Sequence, residues 1–123
     1  MARVLIIDDD RTILELLEAT LGGGPHEVTV AADADEAVSA VRTCSPELII
    51  LDLDLPGSDG RLILESIRGL GSQASVIVLT GSGRAREREL LSAGAQAYLT
   101  KPFSPLELIG RVEALLASPT RRS

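Results

Sequence analysis

The chain has 123 residues, a formal net charge of -6, one Tyr, one Phe and no Trp. An acidic surface does not grip phosphate backbones and two aromatic rings cannot stack bases, so direct nucleic-acid binding by this domain is disfavoured. The length fits one domain that buries its own core, the lone Cys44 rules out an intrachain disulfide, and no apolar run approaches the ~20 residues that span a bilayer, so a soluble, cytoplasmic protein without membrane association is expected.

Apolar runs and helically spaced segments alternate from the start. The first strand is predicted over 3–7, and it runs directly into Asp8, Asp9 and Asp10. A helix follows over 11–21, where Ile13, Leu16 and Leu17 share a face; Gly22 to Gly24 with Pro25 end it. His26 sits in the next loop and is expected to face solvent. The second strand covers 27–31 and a second helix 35–41, after which Cys44 is read as a small packed side chain ahead of Ser45 and Pro46. The third strand, 48–51, again ends on carboxylates, Asp52 and Asp54, and Pro56 with Gly57 turns the loop beyond them.

A third helix is predicted over 60–67, and a fourth strand over 76–79 ends at Thr80 and Gly81. The segment 84–91 is weakly apolar: only Ala85, Leu90 and Leu91 stand among Arg84, Arg86, Glu87, Arg88 and Glu89. It reads as a solvated helix with its own ion pairs, a low-stability element able to shift or to meet a partner. The fifth strand, 97–100, runs into Lys101 and Pro102. Ser104, Pro105 and Glu107 then supply a cap, a first-turn proline and a capping-box acid for a last helix over 105–116, with Leu108, Ile109, Val112 and Leu116 on one face. The expected domain is 1–117, with 118–123 as a tail or the start of a linker.

Five strand-helix units predict an α/β fold, a doubly wound five-stranded parallel sheet with helices on both faces. If the first and third strands are neighbours, Asp8, Asp9 and Asp52 converge at the edge where open α/β sheets place their chemistry. Such carboxylates repel one another unless a proton or a hard cation intervenes, so the cluster reads as a Mg²⁺ site that Mn²⁺ could also occupy. Thr80 and Lys101 fall at the same edge. Each also has a plain structural reading: Asp9 and Asp10 can cap the next helix, Thr80 can open a turn, and Lys101 can be a surface lysine.

Four segments, VLIIDDD at 4–10, PELIILDLDLPGSDG at 46–60, VIVLTG at 76–81 and GAQAYLTKPFSP at 94–105, resemble the receiver domain of bacterial response regulators in order and spacing. The resemblance covers essentially the whole chain. It implies the flavodoxin-like (βα)5 receiver fold with sheet order 2-1-3-4-5, and phosphorylation of Asp52 by a sensor histidine kinase or phosphotransfer protein. It also makes Asp8 and Asp9 the acidic pair serving Mg²⁺, Asp9 directly and Asp8 through water. Asp52 becomes nucleophile and ligand together, and the backbone carbonyl of Asp54 a further ligand. Thr80 matches the switch hydroxyl, Lys101 the active-site cation, Tyr98 the aromatic switch and Pro102 the residue after a cis peptide bond, with Pro56, Gly57 and Gly81 shaping the loops. The implied domain catalyses only its own phosphorylation and dephosphorylation. Its fourth helix, fifth strand and fifth helix would signal to an output domain or effector protein, or form a homodimer on phosphorylation.

Three departures from the family's pattern stand out. Asp54 replaces an apolar or amide residue, Ser82 replaces a larger or acidic one, and Gln96 and Ala97 stand where receivers of winged-helix transcription factors carry paired aspartates. Two other functions share parts of this pattern. A small Mg²⁺-dependent phosphohydrolase would use Asp54, two residues after Asp52, as general acid, although no cap domain is evident. A phosphorylation-independent docking module would usually have lost Asp52, Thr80 or Lys101, and all three are present.

Overall fold

A computed structural model describes residues 2–22, 26–55, 57, 59–81 and 87–117. The strands are β1 (Arg3–Ile7), β2 (Glu27–Ala31), β3 (Leu48–Asp52), β4 (Ser75–Thr80) and β5 (Ala97–Thr100). Between and after them come α1 (Arg11–Gly22), α2 (Ala34–Cys44), α3 (Gly60–Gly69), α4 (Glu87–Ser92) and α5 (Pro105–Ala117). All strand pairs are parallel and the order is β2-β1-β3-β4-β5, as the resemblance implies.

Alternation along the central strands builds two cores. Leu5, Ile7, Ile49, Leu51, Val76 and Val78 face α2 and α3, meeting Val41, Leu64 and Ile67. The intervening Val4, Ile6, Leu48, Ile50, Ile77 and Leu79 face α1 and α5, meeting Leu17, Leu21, Leu108 and Val112. A strand buried on both faces needs apolar residues at every position, which is why β3 and β4 read as unbroken apolar runs. Each Leu or Ile so buried contributes about 1.5–3 kcal/mol.

Helix ends follow their caps. The helix α2 begins earlier and ends later than its apolar spacing predicts: the Asp33 side chain accepts the Glu36 N–H at 2.8 Å, and Ser45, at φ 47, returns its N–H to the Val41 carbonyl. Ser104 Oγ accepts the Glu107 N–H at 3.0 Å, the predicted cap of α5. The predicted helix 84–91 is described as Glu87–Ser92. Ser82, Arg84, Ala85 and Arg86 lie outside the described residues, as do Pro56 and the predicted tail 118–123.

Two expectations are corrected. His26 does not face solvent: its side chain is 10% exposed and its Nε2 lies 3.2 Å from Glu113 Oε2 on α5. Local sequence places it in a loop but cannot show that the C-terminal helix returns beside that loop. The ion pairs of the charged helix are not all its own, because Glu89 pairs with Arg61 of α3 at 2.9 Å while Arg61 also holds Glu65 at 3.0 Å. Those hydrogen bonds raise the Arg61 pKa, Glu89 contributing most. The fourth helix is thereby tied to the third from outside.

A second tie lies deeper. Arg68 of α3 donates to the carbonyls of Ser72 (3.1 Å), Ala74 (2.6 Å) and Gly94 (2.6 Å) and to Gln96 Oε1 (3.2 Å). Gln96 Oε1 also accepts the Val76 N–H at 2.7 Å. Burial lowers the Arg68 pKa. Gln96, singled out because it replaces an aspartate, therefore closes the start of β4 inside its own domain.

Gly60 opens α3 where there is no room for a side chain. An added Cβ would stand 2.8 Å from Leu53 Cα and 3.1 Å from its carbonyl oxygen, and backbone cannot swing aside as a side chain tip can. Gly60→Ala is expected to cost about 2 kcal/mol in denaturant unfolding. An unchanged midpoint and slope would show that the Leu53 backbone yields freely.

Candidate functional site

Parallel register sets the ends of β1, β3, β4 and β5 level. Ile7 lies opposite Leu51, Asp52 opposite Leu79, and Thr80 opposite Thr100, so the residues that follow or end these strands meet at one edge. Asp8 is fully buried; its N–H donates to the Ala31 carbonyl and its Oδ1 accepts the Asp10 N–H at 2.9 Å. Asp10 Oδ1 in turn accepts the Thr12 N–H at 3.0 Å, capping α1. Asp52 is also buried, and its Oδ1 accepts from the Asp54 N–H at 2.9 Å and from Lys101 Nζ at 2.8 Å.

The carboxylates of Asp8, Asp9 and Asp52 each place an oxygen within 4.8 Å of the others, Asp9 being the exposed member. Among the described residues Asp8 Oδ2 is buried with no hydrogen-bond partner. An orphaned buried acceptor beside two further carboxylates fits a hard dication, whose preferred ligands are oxygens. Burial raises the Asp8 pKa to about 6, reinforced by the nearby charge of Asp52 and opposed by the Asp10 N–H and Lys101. For Lys101, burial alone would lower the pKa. The hydrogen bond to Asp52 and the charges of Asp52, Asp8 and Asp54 outweigh it and raise the pKa.

Thr80 is buried at the end of β4, where its carbonyl accepts the Lys101 N–H at 2.8 Å, and the Lys101–Pro102 peptide bond is cis. Gly57 adopts φ 71, a conformation that favours glycine, in the loop beyond Asp52. Gly81 donates its N–H to Asp54 Oδ2 at 2.9 Å. Tyr98, on β5 opposite Val78, is half-buried and packs on the core facing α2 and α3. The structure thus brings Asp8, Asp9, Asp52, Asp54, Thr80, Gly81 and Lys101 to one edge, with Tyr98 two residues before the end of β5. What sequence reasoning missed is the Asp54–Gly81 hydrogen bond; the unusual carboxylate was visible, its partner was not.

A doubly wound parallel sheet with acids, a hydroxyl and a lysine at its C-terminal edge defines a flavodoxin-like domain with an acidic cluster at that edge. The family model of the response regulator receiver domain matches residues 4–113, and the chain belongs to that family. It is 37% identical over 115 residues to the response regulator MprA of Mycobacterium tuberculosis, covering 93% of this chain and 50% of the relative. The chain spans about half the length of the curated relatives it matches. A CheY-like receiver domain protein from Methanospirillum hungatei superposes with a TM-score of 0.90 at 30% identity, covering 100% of this chain and 99% of that one. The chemotaxis protein CheY4 of Vibrio cholerae superposes with a TM-score of 0.86 at 27% identity, covering 93% and 98% respectively.

Proposed function

We propose that this receiver domain accepts a phosphoryl group on Asp52 from a sensor histidine kinase or phosphotransfer protein and passes the change to an output domain or effector. The observation that carries this is Lys101 Nζ at 2.8 Å from the buried Asp52 carboxylate, beside Asp8 and Asp9. Asp8, Asp9, Asp52 and the Asp54 carbonyl would hold Mg²⁺, or Mn²⁺ in its place. The bound cation supplies neutralisation of the phosphoryl oxygens.

Asp52 oxygen attacks phosphorus in line, forming the acyl-phosphate bond as the bond to the donor nitrogen breaks. Lys101 orients the attacking carboxylate and then screens the product. The Thr80 hydroxyl and the Gly81 N–H donate to the new oxygens, which carry about -1.5 to -2 charge. Thr80 and Tyr98 relay the change to α4, β5 and α5, where Leu91, Tyr98, Thr100 and Arg111 help to line a cleft of about 620 Å³. That face would meet an effector or a second phosphorylated copy. The receiver is assigned to 1–117 and residues 118–123 to a tail or the start of a linker, with the domain acting in the cytoplasm; among the described residues no helix is long and apolar enough to cross a membrane.

Intact mass after incubation with acetyl phosphate tests the reading. One phosphoryl group should be gained with Mg²⁺, mapped to Asp52 by peptide masses, and none in EDTA. Equal modification in EDTA, or modification elsewhere, would overturn it.

A further inference from the structure

Asp54 puts a second carboxylate on the groups that a phosphorylated Asp52 needs. Its Oδ2 accepts the Gly81 N–H at 2.9 Å and lies 3.7 Å from Lys101 Nζ, the ammonium that also holds Asp52 Oδ1 at 2.8 Å. The Asp54 N–H is meanwhile bonded to Asp52 Oδ1. One short loop therefore reaches across the edge and fastens itself to the residue that directly follows Thr80. A Cβ added at Gly81 would stand 3.4 Å from Asp54 Oδ2, in ordinary van der Waals contact.

A phosphoryl group built on Asp52 arrives beside Lys101 and within the reach of the first N–H beyond β4. Both donors are already engaged by a carboxylate, and two anions brought to one pair of donors also repel each other. Resting on the phosphoacceptor reading above, we propose that the Asp54 side chain is an internal competitor of the Asp52 phosphoryl group: a positioning residue that holds Gly81 and Lys101 in the unphosphorylated arrangement. Full binding of the phosphoryl group then requires Asp54 to let go of the Gly81 N–H. Release frees the loop after Thr80 at the moment the new oxygens claim its backbone. Charge and hydrogen bonding act together, so an uncharged acceptor at this position would compete less.

The test uses the full chain and its Asp54→Ala and Asp54→Asn variants, with beryllofluoride and Mg²⁺ as the phosphoryl mimic. In the metal-free, unphosphorylated protein, Asp54→Ala should speed exchange of the Gly81 amide proton and shift its nitrogen resonance. The same variant should bind beryllofluoride about tenfold more tightly, while Asp54→Asn, which keeps an oxygen acceptor without the charge, should gain roughly threefold. A purely structural role would lower the melting temperature without tightening binding. Tighter binding in the order Ala, Asn, parent supports the competitor. A Gly81 amide indifferent to Asp54→Ala, or equal or weaker binding in that variant, overturns it. A parent that binds no beryllofluoride would instead remove the phosphoacceptor reading itself, and the competitor with it.

Discussion

Asp52→Asn is expected to leave the chain unable to take up a phosphoryl group, with its fold intact. Asparagine keeps a side-chain oxygen for the Asp54 N–H, which Asp52 Oδ1 accepts at 2.9 Å, and fills nearly the same volume at a buried position. It lacks the anionic oxygen proposed to attack phosphorus. Lys101→Ala should act differently, because in the proposed chemistry the lysine stabilises charge rather than forming the new bond. Its backbone N–H still pairs with the Thr80 carbonyl, and its side chain is 31% exposed, so packing is spared. Loss of one preorganised cation should slow uptake from acetyl phosphate about a hundredfold. Intact-mass time courses and melting curves on the same samples separate these outcomes. Residual uptake at the parent's rate in Asp52→Asn would move the phosphoacceptor elsewhere, and a normal rate in Lys101→Ala would make the Lys101–Asp52 pair structural.

The parts of this fold that sequence shows are those that depend on local repetition. The runs at Leu48 to Leu51 and Val76 to Leu79 are apolar without break because both faces of their strands are covered, and each ends on a residue apolar packing cannot explain. Once parallel order is granted, the strand register alone brings Asp8, Asp52, Thr80 and Lys101 together. Contacts between distant side chains are a different matter. Nothing beside His26 announces Glu113, 87 positions away, and nothing in RLILESIRG distinguishes Arg61, which reaches Glu89, from Arg68, which closes four acceptors. Gln96 shows the same limit in reverse. The family comparison marks it as a missing surface acid, whereas its side-chain oxygen, on an exposed residue, accepts from the Val76 N–H and from Arg68.

Asp8→Asn should stabilise the metal-free domain at neutral pH, and the gain should disappear in acid. A carboxyl whose pKa is about 6 when folded and 3.8 otherwise binds its proton more tightly in the native state. Native protein therefore holds the extra proton between those values, and the Asp8 contribution to stability is fully present below about pH 4 and lost as pH rises through about 6. Above that window the folded domain carries a desolvated charge against Asp52, at a cost of about 3 kcal/mol. Asparagine carries no such charge and still offers an oxygen to the Asp10 N–H. Urea unfolding of both proteins from pH 4 to 7.5, without divalent cations, isolates Asp8 as the difference between them, since every other carboxylate titrates in both. The difference should grow from near zero to about 3 kcal/mol in favour of Asp8→Asn. Saturating Mg²⁺ should then reverse the ranking at pH 7.5, because a ligand bound only by the native state stabilises the parent by mass action and the variant has lost one of the carboxylates proposed to hold the cation, directly or through water. A variant less stable than the parent at pH 7.5 in EDTA would show that the buried Asp8 is satisfied without a cation, and would remove the physical reason for placing one there.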